Sequence, residues 1–278
     1  MAAAAPLILV TGGTGFVGRQ VLRALSDEKC RLRLVVRQGR QDEVRRTAAI
    51  ESVVATPDLW SENDAWWDGV CHGVDTVIHV AWYAEPGRYL QSPKNLDCLS
   101  GTLRLGQAVG RTKVRRFVGI GTCFEYDLSV GYLSIATPLR PATPYAEAKA
   151  AAFMALSHQL PRQGVEFAWC RLFYLYGEGE AEARLVPYLH ARLRAGQPAE
   201  LSSGTQIRDY LDVRKAGGMI VSAARSGVLG PVNICAGTPV TVRQMAEKIA
   251  DEYGRRDLLR FGARPDNLTD PPCVVGVP

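Results

Sequence analysis

The stretch Leu7–Gly18, LILVTGGTGFVG, decides the fold. Its first four residues form an apolar run with β-branched members, the pattern of a short strand buried on both faces. Gly12, Gly15 and Gly18 follow directly, and a helical pattern runs on from Gly18 to Leu25. Glycines spaced Gly-x-x-Gly-x-x-Gly between a strand and a helix suit the pyrophosphate of a dinucleotide. Gly12 allows a tight turn, Gly15 lets backbone N–H groups approach the phosphates, and Gly18 lets the helix pack against the sheet. The helix N-terminus then faces the phosphate charge. Thr14, Phe16 and Val17 complete the turn, with Phe16 and Val17 also filling core positions.

Outward from this turn, apolar runs recur at 32–36, 53–54, 74–81, 115–122, 165–172 and 232–237. Between and after them lie helical patterns at 101–109, 145–160, 186–195 and 240–253. Short strands separated by amphipathic helices predict βαβ units and an α/β, Rossmann-type doubly wound parallel sheet. After about residue 175 the alternation gives way to Gly-, Pro- and Arg-rich stretches such as 176–187 and 196–210. The expected division is an NAD(P)-binding domain over 1–175 and a mainly substrate-binding lobe over 176–278, with a strand near 232–237 returning to the main sheet.

The chain has 278 residues, 47% hydrophobic and 22% charged, which is ordinary globular usage rather than that of a disordered chain. Its formal net charge of +5 is scattered, with short clusters such as Arg45–Arg46 and Arg255–Arg256, so no nucleic-acid stripe is expected. Seven cysteines without a CxxC pair read as free thiols of a reducing cytoplasm. The opening MAAAAP lacks a signal peptide's basic and apolar regions, and no stretch approaches the roughly 18 apolar residues of a membrane span. The expectation is a cytoplasmic protein without a membrane partner. His72, His79, His158 and His190 show no ligand spacing, so no metal site is expected, and His79 reads as a buried strand histidine.

The second strand run ends at Val36 and is followed by Arg37 and Arg40. An acidic side chain here would hydrogen-bond a ribose 2′-hydroxyl, whereas a basic one accommodates a 2′-phosphate, which favours NADP over NAD. Arg37 and Arg40 can also be read as solvated loop charges. Asp58 and Leu59, after the third strand run, fall where the adenine edge would sit, although Asp58 can equally cap the following turn.

Tyr145 and Lys149 stand at i and i+4 in PYAEAKAAAF and so share a helical face. A lysine charge beside the phenol would lower its pKa and make Tyr145 a usable acid or base. Pro144 suits the first helical turn. Thr122 ends the strand run at 115–122, at the sheet edge where ligands bind, and can share a substrate oxygen with Tyr145. It can also be a strand-end residue satisfying its own backbone. Cys123 has no histidine partner in the sequence and reads as a lining residue.

The glycine turn, Thr122, Tyr145 and Lys149, in this order, resemble the extended short-chain dehydrogenase/reductase family, specifically its nucleotide-sugar epimerase/dehydratase/reductase branch. The resemblance extends through VDTVIHVAW (74–82), GTLRLGQAV (101–109), RLFYLYGEG (171–179), RLVPYL (184–189), GTQIRDYLDV (204–213) and VNICAG (232–237). It implies a catalytic triad of Thr122, Tyr145 and Lys149, with Lys149 also holding the nicotinamide ribose. It implies that Ala81 and Trp82 line the cofactor path with Gly12, Gly15, Gly18 and Arg37. Arg208 and Arg264 would clamp a nucleotide-sugar diphosphate through their planar forks, and Leu185 and Val186 would face the base. Arg208 can alternatively pair with Asp209 or Asp212. A homodimer through the helices at 101–109 and 145–160 is also implied.

Departures from the family pattern narrow the chemistry. In the 4,6-dehydratases of this branch an Asp-Glu pair follows the catalytic threonine, whereas Cys123 and Phe124 stand here, so a dehydratase is disfavoured. Tyr174 replaces a substrate-facing asparagine. The sequence stops at VVGVP without the branch's usual C-terminal helix and Leu-Gly-Trp-like ending. The expectation is an NADPH-dependent reductase of a nucleotide-activated 4-keto sugar. An NAD-dependent 4-epimerase and, outside catalysis, a dinucleotide-sensing regulator are the alternatives.

Overall fold

Unbroken burial of Leu7–Thr11 marks the first strand as a central one. The computed structural model describes residues 5–45, 47–267 and 269–278; Met1–Ala4 of the opening segment and Arg46 of the Arg45–Arg46 pair lie outside the described residues. In chain order the elements are β1 (Leu7–Thr11), α1 (Phe16–Leu25), β2 (Arg31–Arg37), β3 (Ile50–Thr56), α2 (Asp64–Cys71), β4 (Thr76–His79), α3 (Lys94–Arg111), β5 (Arg116–Thr122), β6 (Tyr132–Leu133), α4 (Pro144–Arg162) and β7 (Glu166–Leu172). They continue with β8 (Tyr174–Tyr176), α5 (Leu185–Arg194), β9 (Ala199–Leu201), β10 (Ile207–Asp212), α6 (Val213–Arg225), β11 (Gly230–Ile234), β12 (Pro239–Thr241), α7 (Val242–Glu252), β13 (Leu259–Phe261) and β14 (Cys273–Gly276).

The main sheet has seven strands in the order β11-β7-β5-β4-β1-β2-β3. Every pairing in it is parallel. The strand order reverses between β1 and β4, and that switch point opens a crevice at the carboxyl ends of the strands. One apolar core lies between the sheet and α1 with α6, around Val10, Val21, Ile78 and Ile220. A second lies on the opposite face under α2, α3 and α4, around Trp67, Leu105, Phe117 and Leu156. The sheet is therefore doubly wound, as expected.

The alternation that falters near residue 175 resumes in α6 and β11, which return to the main sheet. The buried stripe of α6 sets Ala216, Gly217, Ala223 and Ala224 among Val213, Ile220 and Val221. Those small residues permit close packing: a Cβ on Gly217 would lie 2.7 Å from the Gln20 backbone of α1. The remaining later elements form a lobe whose core joins α5, α7, β9 and β13. A second sheet, β12-β10-β14-β6, with β8 paired to β10, links this lobe to the main body.

Candidate active site

The glycine turn closes on itself before it faces any ligand. Gly12 has φ +73, and Gly15 N–H donates to its carbonyl at 3.0 Å. A Cβ at Gly12 would lie 2.6 Å from the Ala81 nitrogen, and one at Gly18 would lie 2.0 Å from the Gly12 oxygen. The glycines thus bring the end of β1, the start of α1 and the residues after β4 into backbone contact. Gly15 is the N-cap of α1 and has no side chain to cap it, so the first amides of the helix are left for an anion.

A directed hydrogen-bond chain braces this contact. Ala81 N–H donates to Thr11 Oγ1 (3.3 Å), and Thr11 Oγ1 meets His79 Nδ1 (2.8 Å). His79 Nε2 meets Thr102 Oγ1 (2.9 Å), and that hydroxyl donates to the Cys98 carbonyl (2.7 Å). With the Thr102 proton committed, its oxygen accepts from His79 Nε2–H, so Nδ1 accepts from Thr11. Every partner is satisfied by a neutral imidazole. Burial pulls the His79 pKa down to about 3, with the Lys149 charge adding to the effect.

The crevice is a cavity of about 980 Å³, the size of a site for a large organic ligand. The cavity wall includes Gly12, Thr14, Gly15, Phe16, Val17 and Gly18 from the glycine turn, Arg37 and Arg40 after β2, and Asp58 and Leu59 after β3. Ala81 and Trp82 line it after β4, and Thr122, Cys123, Phe124, Tyr145, Lys149 and Tyr174 line its other end. Asp58 accepts from Trp60 N–H at 3.1 Å and so caps the following turn, while it also lines the cavity. Arg40 is engaged by Glu43 through two bonds, of 2.5 and 2.6 Å, and Glu43 also accepts from Arg19 at 2.9 Å.

At the far end, α4 begins with Thr143 capping Ala146 N–H and with Pro144 in its first turn. The Tyr145 ring is held edge-on by Trp82 and Tyr89, with centroids 6.3 and 4.8 Å away. Lys149 is 3% exposed; its Nζ donates to the Ile120 carbonyl at 2.6 Å and sits 3.8 Å from the centre of the Trp82 ring. Burial brings its pKa down to about 7 against the opposing pull of Glu125 and Cys98. The expected lowering of the Tyr145 pKa by this lysine does not occur. Burial raises it, Tyr89 and Glu125 raise it further, and a hydrogen bond with Thr122 opposes them. The i,i+4 spacing brings the two side chains to one face, but Lys149 spends its ammonium on a backbone carbonyl.

Leu185, Val186, Arg208 and Arg264 do not line the cavity. Val186 is buried in the lobe core, with Leu185 packed against it. Arg208 is buried and its Nη2 donates to Asp270 at 2.5 Å, so its partner is neither Asp209 nor Asp212. Asp209 instead accepts from the amides of Ala236, Gly237 and Gly276, while Asp212 caps α6. Arg264 bonds to the Tyr188 hydroxyl. Sequence reasoning missed Trp60, Tyr89 and Arg184, all on the cavity wall. Tyr89 lies in an aperiodic segment without a sequence signal; Arg184 could have been found as the residue just before the helix in RLVPYL.

Fold and cavity define the class: a glycine cradle at a topological switch point, facing a half-buried Tyr145 and a buried Lys149, is a Rossmann-type NAD(P)-dependent oxidoreductase site. Residues 8–235 match the model of the NAD dependent epimerase/dehydratase family, and the chain belongs to that family, in the extended short-chain dehydrogenase/reductase branch. It is similar to dTDP-6-deoxy-L-talose 4-dehydrogenase (NAD(+)) of Aggregatibacter actinomycetemcomitans, 21% identical over 273 residues that cover 97% of this chain and 98% of the relative. It is 28% identical to dTDP-6-deoxy-L-talose 4-dehydrogenase (NAD(P)(+)) of Kitasatospora kifunensis, over 89% of this chain and 79% of that protein. Among solved structures it resembles UDP-N-acetylglucosamine 4-epimerase from Methanobrevibacter ruminantium M1 in complex with UDP-N-acetylmuramic acid. The TM-score is 0.84 at 19% identity, over 99% of this chain and 90% of that one. No helix among the described residues is long and apolar enough to cross a membrane.

Proposed function

We propose that this protein reduces the 4-keto group of a nucleotide-activated sugar with NADPH. The carrying observation is a half-buried Tyr145, its pKa raised by desolvation, beside Thr122 at one end of a cavity whose other end is the glycine cradle. The cradle fits a dinucleotide, because Gly12 and Gly18 leave no room for a Cβ and so let the turn close tightly at the start of α1, whose first amides are uncapped. When bound, the nicotinamide supplies hydride to the keto carbon. Tyr145 gives its proton to the oxygen, Thr122 holds that oxygen by a hydrogen bond, and Lys149 steadies the developing charge. Cys123 and Phe124 offer a thiol and a phenyl ring beside Thr122 and no carboxylate for removing water. Phe124, Tyr89 and Tyr174 give the sugar end aromatic walls, which suits a 6-deoxyhexose with its methyl group.

Arg37 lines the cavity and forms no ion pair among the described residues, which supports the 2′-phosphate of NADP. The second reading, a 4-epimerase with retained NAD, is favoured by the Glu43 carboxylate that already occupies Arg40. Two copies joined through α3 and α4 belong to the proposal, since Leu96 and Met154 are 67% and 52% exposed on those helices.

The test is turnover of dTDP-6-deoxy-L-talose with NADP and with NAD, in a panel of dTDP-, UDP-, GDP- and CDP-sugars, alongside Tyr145→Phe. The expected result is oxidation of one of these sugars with a preference for NADP, lowered about 10²–10⁴-fold in Tyr145→Phe with cofactor binding intact. Full turnover by Tyr145→Phe overturns the mechanism, and tightly retained NAD with product epimerised at C4 establishes the second reading.

A further inference from the structure

Glu125 is fully buried and lies outside the cavity wall, yet it is tied to the cavity's reactive end. Its Oε1 accepts the Thr122 amide at 2.8 Å, closing a capping box in which the Thr122 hydroxyl accepts Phe124 N–H. A Cβ on Gly121 would lie 2.4 Å from the same oxygen, so the carboxylate sits directly beneath the Gly121–Thr122 backbone. On that backbone, the Ile120 carbonyl receives Lys149 Nζ. Glu125 and Lys149 therefore grip neighbouring peptide units at the end of β5, about one residue rise, or roughly 3.3 Å, apart along the strand.

The carboxylate is held from below. Trp169 Nε1 donates to it at 3.0 Å and Arg171 Nε at 2.7 Å. Arg171 Nη1 donates to the Tyr126 hydroxyl, which donates to Asn233 Oδ1, and Asn233 Nδ2 donates to the Leu133 and Val277 carbonyls. The Arg171 guanidinium is sandwiched between the Tyr126 and Phe153 rings, each 4.5 Å away. A buried ion pair is costly unless its geometry and remaining hydrogen bonds are satisfied, and replacing it with apolar residues of similar size is often neutral or stabilising. Stability alone therefore does not account for an ion pair beneath these two side chains.

Resting on the assignment of Thr122, Tyr145 and Lys149 to catalysis, we infer that Glu125 is a positioning residue for proton transfer. It fixes the Thr122 backbone and places a buried negative charge beneath Lys149 and Tyr145. The groups facing this pair are Tyr89, Thr122, Cys123 and Glu125 at Tyr145, with Glu125 and Cys98 at Lys149; His79 faces Lys149 from β4, and Arg171 of β7 offsets Glu125 from below. Glu125 raises the pKa values of both Tyr145 and Lys149, and so keeps both protonated to higher pH.

The experiment is a titration of carbon-13-labelled lysine ε-carbons in the ligand-free protein, with Lys149 assigned by its loss in Lys149→Met. Glu125→Gln keeps an oxygen for the Thr122 amide but turns its amide group toward Arg171 Nε–H. Glu125→Gln/Arg171→Met removes that donor–donor clash and is the variant that secures folding. The Lys149 midpoint, near 7 in the wild type, moves to lower pH in Glu125→Gln, and by less in the double variant, because Arg171→Met also removes a positive charge. With the best sugar substrate, kcat falls about 10²-fold in Glu125→Asp, whose shorter chain cannot span Thr122 and Arg171, while the cofactor KM holds. A Lys149 midpoint that stays fixed in Glu125→Gln, or that moves to higher pH in the double variant, overturns the electrostatic role, and unchanged kcat in Glu125→Asp overturns the positional one. Full activity in Tyr145→Phe would instead sink the catalytic assignment while leaving the lysine titration readable.

Discussion

Replacing Gly12 with alanine tests whether the glycine turn is shaped by the protein's own backbone as well as by a ligand. The residue has φ +73, a conformation costing a residue with a Cβ about 1–2 kcal/mol. The new methyl would also sit 2.6 Å from the Ala81 nitrogen and 2.8 Å from its Cα, where both sides are backbone. Relief requires the end of β1 to part from the residues after β4, at an overpacking cost of about 1–3 kcal/mol. It also pulls Ala81 N–H off Thr11 and disturbs the chain through His79. The expected loss is about 2–5 kcal/mol, a large part of a typical domain's 5–15 kcal/mol. Gly39 is the control, because it has φ +83 but open space around it, so Gly39→Ala pays the backbone cost alone. Urea unfolding followed by tryptophan fluorescence measures both in the ligand-free protein. If the two variants differ by less than about 0.5 kcal/mol, the close approach of Gly12 to Ala81 carries no energy and the reasoning fails.

Two pH effects follow from the buried bases. His79 titrates near 3 when folded and at 6.5 when unfolded, so the unfolded state binds more protons between those values. The stability it contributes is present above pH 6.5 and lost as pH falls toward 3, and urea midpoints for His79→Gln should lose less than wild type across that window. Lys149 titrates near 7 when folded and at 10.5 when unfolded, so its contribution makes stability rise with pH from 7 toward 10.5. Lys149→Met should flatten that rise, and an identical pH slope in the two proteins would show that Lys149 is not buried as described.

Much of the site was legible because its positions are fixed by local chemistry. A strand, a glycine turn and a helix N-terminus specify a phosphate cradle within twelve residues, and an i,i+4 spacing specifies a shared face. The long-range pairings were not legible. Arg208 and Asp270 are 62 residues apart, and nothing in QIRDY shows that the fold brings Asp270 to the guanidinium. The same holds for the ionisation of Tyr145: the sequence places a lysine beside it, but burial and the Ile120 carbonyl decide what that lysine does. Helix α6 was missed although its buried face, with Val213, Ile220 and Val221 among small residues, is amphipathic at helical spacing; its signal lies inside the stretch after residue 175 that reads as irregular.

The electrostatics of the cavity also bear on the direction of chemistry. A residue that protonates a developing alkoxide must carry its proton at working pH, and burial together with Tyr89 and Glu125 keeps Tyr145 in that state. An epimerase asks more of the same phenol, since it must first remove a proton from a hydroxyl and later return one. A phenol whose pKa is raised in the ligand-free cavity suits donation and resists removal unless a positive charge arrives nearby. Lys149, near 7, carries that charge for only part of the time at neutral pH, and its ammonium is directed at the Ile120 carbonyl. Proton donation in ketone reduction therefore needs the smaller rearrangement of this site, which is the physical reason for preferring the reductase to the epimerase.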